Sequence, residues 1–346
     1  LYKHLDKLNV EQTVFYPLRE SKLKQLKNYK KGFDFEILTS NPLKKYHRVL
    51  FRSKVKYLYN ALSPNINKNS FDIVHATTLF SDGAIALKIQ KKFNIPFIVD
   101  IDAFLKYRPD LIFLAKEILE QSSQIIFISN ALKERFLNHP LIKKNKHKLN
   151  HKCLVINNGI DPYWLENRTE KREIEPTKIL YVGSLVKRKN ATKLIHSVLN
   201  LRKSGLQCEL TIVGEGGSLQ KEVEQLASAN YPIINYIGAV KDKTKLKEIY
   251  NNHHIFALPS NIETFGLVYI EALSQGIPVL YAKNQGIDGT FKEMVGEAID
   301  FNNENGIETG LKKLVENYNS YELEKIDFTR FSWGDIAKTY LNLYKA

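Results

Sequence analysis

Cysteine is almost absent from this chain, with only Cys153 and Cys208 among 346 residues. Their spacing matches neither a metal site nor a redox pair, so no disulfide framework is expected and a reducing cytoplasm is the simplest setting. Long apolar runs are also missing, because none approaches the roughly 20 residues that a membrane-spanning helix requires. No signal peptide is visible at Leu1. With 43% hydrophobic and 25% charged residues, the composition predicts a soluble globular protein, and the length predicts two domains.

Acidic residues are scarce in the first half of the chain. Residues 1–170 carry 29 Lys and Arg against 16 Asp and Glu, a net charge of +13, whereas the remaining residues carry +1. The excess is densest between Lys22 and Lys56, where apolar residues alternate with basic ones as in an amphipathic helix. The cations predicted to face a membrane there are Lys45, Arg48, Arg52, Lys54 and Lys56. This pattern favours an anionic membrane surface as partner, at about 1 kcal/mol per basic residue. A compositional bias towards Lys is the second interpretation. Nucleic acid is the third, although no zinc spacing, aromatic RNA-binding signature or basic recognition helix supports it.

Strands and helices are predicted to alternate along both halves of the chain. Such regular alternation is typical of parallel sheets with helices on both faces. Two such blocks predict an α/β protein with two doubly wound domains facing each other across a cleft, with ligands at the carboxyl ends of the strands. The predicted strands are 12–16, 72–75, 96–101, 124–128, 153–156, 179–183, 209–213, 233–237, 254–258 and 278–281. The predicted helices include 82–93, 109–121, 190–201, 218–228 and 244–251.

Three glycine-containing segments fall where predicted strands end. Gly183 closes one strand, and the basic residues 187–189 follow it just before a helix, where a cation reaches a bound phosphate. Taken alone, this segment is equally well interpreted as a solvated basic turn. The second segment, 213–217, is rich in glycine, which is a weak signal for a dinucleotide loop. The third, 236–240, suits the edge or face of a nucleotide base.

Two glutamates, Glu263 and Glu271, are separated by seven residues in a strand–loop–helix segment. The loop between them places the backbone amides of Phe265, Gly266 and Leu267 at a helix N-terminus, which is a ready site for an anion. One carboxylate precedes that site and the other lies in the second turn of the helix. The arrangement suits an enzyme that binds a nucleotide diphosphate and a sugar or ribose hydroxyl. The alternative is an ordinary strand–loop–helix unit with two solvated glutamates.

Taken in chain order, these segments resemble the family 4 retaining glycosyltransferases, which have the GT-B fold. The resemblance covers nearly all of residues 153–346 and is looser in residues 72–130. The matching segments are Asn158-Gly159-Ile160-Asp161, Val182-Gly183 followed five residues later by Lys189-Asn190, Val213-Gly214-Glu215-Gly216, Ile237-Gly238 with Val240, the pair Glu263 and Glu271, and Phe331-Ser332-Trp333.

The resemblance implies a domain organisation and an activity. Residues 1–158 would form an acceptor-side domain, residues 159–330 a domain that binds the nucleotide sugar, and residues 331–346 a terminal helix packing back on the first domain. A sugar would pass from a UDP- or GDP-sugar to a glycan or lipid-linked acceptor in bacterial surface polysaccharide synthesis, with its anomeric configuration retained. The family implies neither a cofactor nor an essential metal. With its basic first half, the enzyme is expected in the cytoplasm at the inner face of the membrane, with no nucleic acid partner.

The resemblance also implies roles for individual residues. Lys189 would contact the donor diphosphate, Glu271 the ribose hydroxyls, and Glu263 the transferred sugar. The catalytic set is Glu263, Lys189 and Asp102. The donor-binding set is Gly183, Ser184, Arg188, Lys189, Glu215, Gly238, Val240, Thr264, Phe265, Gly266, Leu267, Val268 and Glu271. His75, at a strand end, is either on the acceptor side or a hydrogen-bonded structural histidine.

Three departures from the family pattern leave alternatives open. Ser184 stands where the family usually has Arg and Asp102 stands where it often has His. The chain opens on segments that resemble the family's first helix and second strand, so the usual first strand is expected to be missing. A catalytically inactive module that only binds a sugar nucleotide is therefore the main alternative, and a basic nucleic-acid-binding protein is a weaker one. The segment Asp100-Ile101-Asp102 also matches the metal-binding signature of the other large glycosyltransferase fold. That fold has no place for the Glu263 and Glu271 pair.

Overall fold

The computed structural model describes residues 1–19, 35–67, 70–101, 109–172, 175 and 177–345. The chain forms two compact units. The first consists of Leu1–Ile128, Phe136–Ile156 and Trp333–Ala346, and the second of Ser129–Arg135 and Asn157–Ser332. The chain therefore returns to the first unit after completing the second.

The first unit contains only parallel strand pairs in its described residues. One sheet has the order β3-β4-β5-β6, and β1 pairs with β2 separately. The strands are β1 (Thr13–Tyr16), β2 (Glu36–Thr39), β3 (Val74–Ala76), β4 (Phe97–Ile101), β5 (Gln124–Phe127) and β6 (Cys153–Val155). Phe97, Ile98 and Val99 are completely buried, as expected for a parallel sheet covered on both faces. An apolar cavity of about 240 Å³ lies in this unit and is lined by residues of β1 and β3.

Helices flank these strands and close the first unit. Its α-helices are Tyr2–Asp6, Phe51–Leu62, Ser81–Phe93, Ile112–Gln121, Lys146–Asn150 and Trp333–Lys345. The C-terminal helix places Ile336 and Tyr340 in a buried apolar cluster with Leu5, Ile98 and Ile126. Burial of these side chains from both ends of the chain stabilises the unit at roughly 1.5–3 kcal/mol per large apolar residue.

The second unit is built on a six-stranded parallel sheet with the order β12-β11-β10-β7-β8-β9. Its strands are β7 (Lys178–Val182), β8 (Glu209–Val213), β9 (Ile234–Gly238), β10 (Ile255–Ala257), β11 (Val279–Ala282) and β12 (Gly296–Ile299). The chain runs outward from β7 in one direction and from β10 in the other, so the order reverses between these two neighbours. In open α/β sheets this switch point is where ligands bind, outside the carboxyl ends of the strands.

The helices of the second unit alternate with its strands. They are Pro162–Glu166, Ala191–Lys203, Gln220–Ala229, Lys243–Asn251, Leu267–Ser274 and Gly306–Glu316, and the helix Asn130–Leu137 begins in this unit. Asp161 and Asp242 cap two of them, each accepting a hydrogen bond from a backbone amide of the first turn.

The predicted alternation of strands and helices is confirmed in both units. Each of the ten predicted strands is present with its ends shifted by no more than two residues, and the two doubly wound sheets follow the expected parallel pattern. The elements that were not predicted include β2, β12 and the helices Asn130–Leu137, Lys146–Asn150, Pro162–Glu166 and Gly306–Glu316. None of the helices in the described part of the chain has both the length and the apolar character needed to cross a bilayer.

Candidate functional site

Two loops of the second unit meet at the switch point, one after β7 and one after β10. The amide of Asn261 donates a hydrogen bond to the carbonyl of Arg188 at 2.8 Å, and the Arg188 guanidinium donates to the carbonyl of Ile262 at 2.9 Å. Asn190, in the left-handed conformation with φ 54°, donates from Nδ2 to the carbonyl of Pro259 at 2.7 Å. These hydrogen bonds hold the two loops together, so the side chains on the two loops keep a fixed arrangement.

Glu263 lies where these two loops are joined, and the residue is only 9% exposed. Lys189 Nζ is 3.2 Å from its Oε2 atom, and Arg188 Nη1 is 3.9 Å away. The amide of Thr264 donates to Oε1 at 3.2 Å, and the hydroxyl of Ser260 donates to Oε2 at 3.4 Å. A buried charge is tolerated when it is paired and hydrogen-bonded in this way. Lys189 and Glu263, predicted to act on neighbouring parts of the donor, therefore contact each other directly.

A second set of contacts fixes the backbone of Glu263. Its amide donates to Gln285 Oε1 at 3.2 Å, while its carbonyl accepts from the amide of Gly286 at 3.0 Å and from Arg135 Nη2 at 3.3 Å. Arg135 also donates to Gln285 Oε1. Burial lowers the pKa of Arg135 to about 10, against the opposing effect of Glu263, so the guanidinium remains charged at neutral pH. Arg135 and Gln285 were missed in the sequence, because nothing in their local pattern indicates contact with a residue more than a hundred positions away.

The loop then ends at the N-terminus of the helix Leu267–Ser274. Gly266 has φ 83°, and a Cβ atom there would lie 2.6 Å from the ring of Tyr269, so only glycine fits. The amides of Gly266, Leu267 and Val268 donate to no acceptor in the described part of the chain. Free amides at a helix N-terminus attract an anion. The side chain of Phe265 is only 1% exposed, so its predicted contribution is limited to its backbone.

The chain after β8 passes the end of β7 so closely at Gly214 that no side chain fits there. A Cβ atom on Gly214, whose φ is 149°, would lie 1.9 Å from the carbonyl oxygen of Gly183. The amide of Gly214 donates to the carbonyl of Gly238 at 2.8 Å. Beside them, Ser184 and Glu215 are exposed. The predicted glycine turns therefore lie side by side at the carboxyl ends of these strands.

Glu271 lies in the second turn of the helix, as predicted, but its main partner was not foreseen. The hydroxyl of the fully buried Tyr250 donates to Glu271 Oε2 at 3.3 Å. Burial raises the pKa of the Glu271 carboxyl to about 7, with the Tyr250 hydrogen bond opposing the increase and Asp161 adding to it. Trp164 packs edge-on against Tyr250, with ring centroids 5.4 Å apart. Glu271 is therefore a half-buried carboxyl held in place by an aromatic pair.

Comparison with known proteins identifies the family of the chain. Residues 1–164 match the model of Glycosyltransferase Family 4, and residues 164–325 match that of Glycosyl transferases group 1. The chain belongs to the family 4 glycosyltransferases. An uncharacterized glycosyltransferase of Methanocaldococcus jannaschii is 27% identical over 245 residues, which are 65% of this chain and 60% of that protein.

Solved glycosyltransferase structures share the fold. The apo form of the lipopolysaccharide outer core galactosyltransferase WaaB superposes with a TM-score of 0.71 at 17% identity, covering 95% of this chain and 98% of that one. Anabaena HepE in complex with UDP-glucose superposes with a TM-score of 0.66 at 16% identity, covering 96% and 91%. With two Rossmann-like units of parallel strands, the chain has the predicted GT-B fold.

Two residues of the expected glycosyltransferase site do not belong to the described part of the second unit. His75 belongs to the first unit, where its Nδ1 is 2.8 Å from the hydroxyl of Tyr344 and its Nε2 is 2.9 Å from Asp100 Oδ1. Both ring nitrogens are thus engaged, and a role towards the acceptor stays a prediction. Asp102 lies outside the described residues, and so does the end of the Asp100-Ile101-Asp102 segment. The described residues contain no group of three or more His, Cys, Asp or Glu side chains placed to hold a metal ion.

The raised pKa of Glu271 predicts how the stability of this glycosyltransferase depends on pH. The unfolded chain releases the proton near the ordinary value of 4.5, whereas the folded protein keeps it until about pH 7. Stability therefore declines as pH rises from 4.5 to 7 and stays level above that. Glu271→Gln removes this loss, so at pH 8 we expect the free energy of unfolding to exceed that of wild type by about 1–3 kcal/mol. Urea unfolding of wild type and Glu271→Gln at pH 5 and pH 8 measures the free energies of unfolding. A difference between the two proteins that is the same at both pH values would contradict the prediction.

Proposed function

We propose that this glycosyltransferase takes a sugar from a nucleotide-sugar donor and passes it, with retained anomeric configuration, to a glycan or lipid-linked acceptor. The observation that carries the proposal is that two hydrogen-bonded loops at one switch point carry Lys189, beside Glu263, and the free amides of Gly266, Leu267 and Val268. When the bond between the anomeric carbon and the diphosphate breaks, negative charge grows on the departing diphosphate. A preorganised cation and aligned amides stabilise that charge without reorganisation, which is often the largest contribution to catalysis.

The substrates are proposed from related proteins. HepE, which has the same fold, binds UDP-glucose, and WaaB is an outer core galactosyltransferase of lipopolysaccharide. These two proteins are consistent with a UDP- or GDP-sugar as donor. They are also consistent with a growing surface glycan on a lipid carrier as acceptor. The place of action would then be the inner face of the bacterial cytoplasmic membrane. No cofactor or metal is needed in this proposal, because Lys189, Arg188 and the helix amides supply the positive charge.

Product analysis with a panel of nucleotide sugars tests the proposal. A thermal-shift screen first selects the donor, because a ligand of the folded state raises the melting temperature by mass action. Turnover of that donor is then followed with and without excess EDTA, and the anomeric configuration of the product is read by NMR. We expect turnover that survives EDTA and a retained configuration. An inverted product or activity abolished by EDTA would overturn the mechanism, and binding without any turnover or hydrolysis would favour an inactive module.

A further inference from the structure

One segment of the first unit combines exposed apolar side chains with exposed basic ones. We name residues 44–52, without the buried His47, the cationic tip. Val49 is 80% exposed, Leu50 is 55% exposed and Tyr46 is 46% exposed. Single exposed apolar residues are common on protein surfaces, whereas three within five positions form a patch of the kind that marks an interaction site.

The cationic tip is a structured turn. The buried His47 accepts a hydrogen bond at Nδ1 from the amide of Lys44 at 3.1 Å, and its ring packs 4.8 Å from that of Tyr57. The amides of Val49 and Leu50 both donate to the carbonyl of Tyr46. The helix Phe51–Leu62 follows at once and is anchored by two of its buried side chains. Because the His47 contacts and the following helix fix the backbone of the turn, its apolar side chains stay exposed and accessible to a partner.

The charge around the cationic tip has one sign. Lys44, Lys45, Arg48 and Arg52 are all exposed, and residues 37–71 contain no Asp or Glu. The adjacent start of a helix adds the positive end of its dipole. Lys54 corrects the interpretation of the sequence, which placed it on the membrane-facing surface. Its ammonium group donates to the hydroxyl of Ser81 at 2.7 Å and faces the unit itself.

We propose that the cationic tip docks the enzyme on an anionic bilayer. Tyr46, Val49 and Leu50 enter the interface between headgroups and acyl chains, while the four exposed cations meet lipid phosphates. Val49 and Leu50, the two most exposed apolar side chains of the cationic tip, are aliphatic, which favours lipid over single-stranded nucleic acid because bases stack on aromatic side chains. This inference deepens the proposed function, on which it rests for the lipid-linked acceptor, since a docked enzyme meets an acceptor that cannot leave the membrane.

Charge reversal tests the electrostatic contribution to membrane binding. The vesicles are phosphatidylcholine with about 30% phosphatidylglycerol, which gives the membrane a negative surface potential. We expect R48E/R52E to weaken binding by at least about 25-fold, since each cation near the surface contributes about fivefold. K143E/K144E is the matched control, because it changes the charge equally at two exposed lysines of the same unit and should bind nearly as wild type. Equal weakening by both variants would show a diffuse charge effect and overturn the assignment to the cationic tip.

Apolar substitution tests insertion separately from charge. V49S/L50S keeps every cation, and we expect its affinity for the same vesicles to fall by about tenfold or more, given the cost per buried methylene. F113S is the control, because Phe113 is 82% exposed on the same unit but lies outside the cationic tip. Unchanged vesicle affinity in V49S/L50S would overturn insertion.

A fluorescent label reports the depth of insertion directly. Both native cysteines are buried, so V49C takes an environment-sensitive NBD label selectively at the cationic tip. We expect NBD emission to increase on anionic vesicles and to be quenched by nitroxide-labelled lipid. Emission that responds to polyuridylate but not to vesicles would identify nucleic acid as the partner and overturn the proposal. Nucleoside diphosphate binding serves as the independent readout. It should be unchanged in all these variants, so a failure of membrane docking is distinguishable from a failure of the donor site.

Discussion

Lys189→Met is expected to lower kcat for sugar transfer by on the order of 10²–10³, with little change in fold. Lys189 is only 13% exposed and is held beside Glu263 at the switch point, with its aliphatic stem against Gly183. Methionine keeps that stem and removes the charge, so the growing negative charge on the diphosphate loses one preorganised partner. Removal of one such donor typically costs this much in other enzymes. Steady-state kinetics with the selected donor measure the loss.

Two further variants separate this effect from simpler ones. Lys187→Met changes an exposed lysine in the same 3₁₀ turn and should leave kcat near the wild-type value. Lys189→Met also removes the nearer of the two cations beside the buried Glu263 carboxylate and leaves the more distant Arg188, which is itself destabilising. The double variant K189M/E263Q removes that unpaired charge and should regain stability without regaining kcat. A single variant with unchanged kcat, or a double variant with restored kcat, would remove Lys189 from the mechanism.

Glu271→Ala is expected to weaken binding of the nucleoside diphosphate by roughly 10- to 150-fold, the equivalent of one hydrogen bond to a charged group at about 1.5–3 kcal/mol. The carboxylate is oriented by Tyr250, so its acceptor oxygens are preorganised for ribose hydroxyls. Because the pKa of Glu271 is about 7, wild-type affinity should rise between pH 6 and pH 8 as the carboxylate ionises. The alanine variant should lack this rise. Titration calorimetry at both pH values provides the measurement.

Pyrophosphate distinguishes the ribose contact from a general loss of the site. It has no ribose, so its affinity should be the same in wild type and Glu271→Ala. Glu248→Ala, in the neighbouring helix Lys243–Asn251, serves as the exposed control and should bind the nucleotide normally. If Glu271→Ala lost affinity for pyrophosphate as well as for the nucleotide, Glu271 would support the loop and not contact the ribose. If wild type and Glu271→Ala bound the nucleotide equally well, Glu271 would not belong to the site.

The sequence predicted those parts of the site that are carried by local pattern. Gly214 and Gly266 mark places where a positive φ and a close neighbour require glycine, whereas a Cβ atom at Gly183 would make only ordinary contacts. Lys189 and Glu271 sit at fixed distances from a strand end and a helix start. Such features depend on a few consecutive residues, so their spacing can be recognised in the sequence alone. The apolar strands were found for the same reason, since buried parallel strands are continuous apolar runs.

The features that escaped prediction depend on contacts between distant segments or on weak local signals. Arg135 and Gln285 fix the Glu263 backbone, and Tyr250 orients Glu271, through side chains whose neighbours are set only by the sheet order. The strands β2 and β12 are only four residues long and half-buried or exposed over most of their length. They lack the apolar run that revealed the others. Lys54 was assigned to the wrong surface because the helical pattern does not show which neighbour, here Ser81, lies beside it.

We propose that the switch point of the second unit holds the donor diphosphate. A crystal structure of the enzyme with the nucleoside diphosphate selected by thermal shift tests it most directly. We expect phosphate oxygens within about 2.7–3.1 Å of Lys189 Nζ and of the amides of Leu267 and Val268, with a ribose hydroxyl on Glu271. A nucleotide bound elsewhere on the second unit, with Lys189 still paired only to Glu263 and these amides free, would contradict the account.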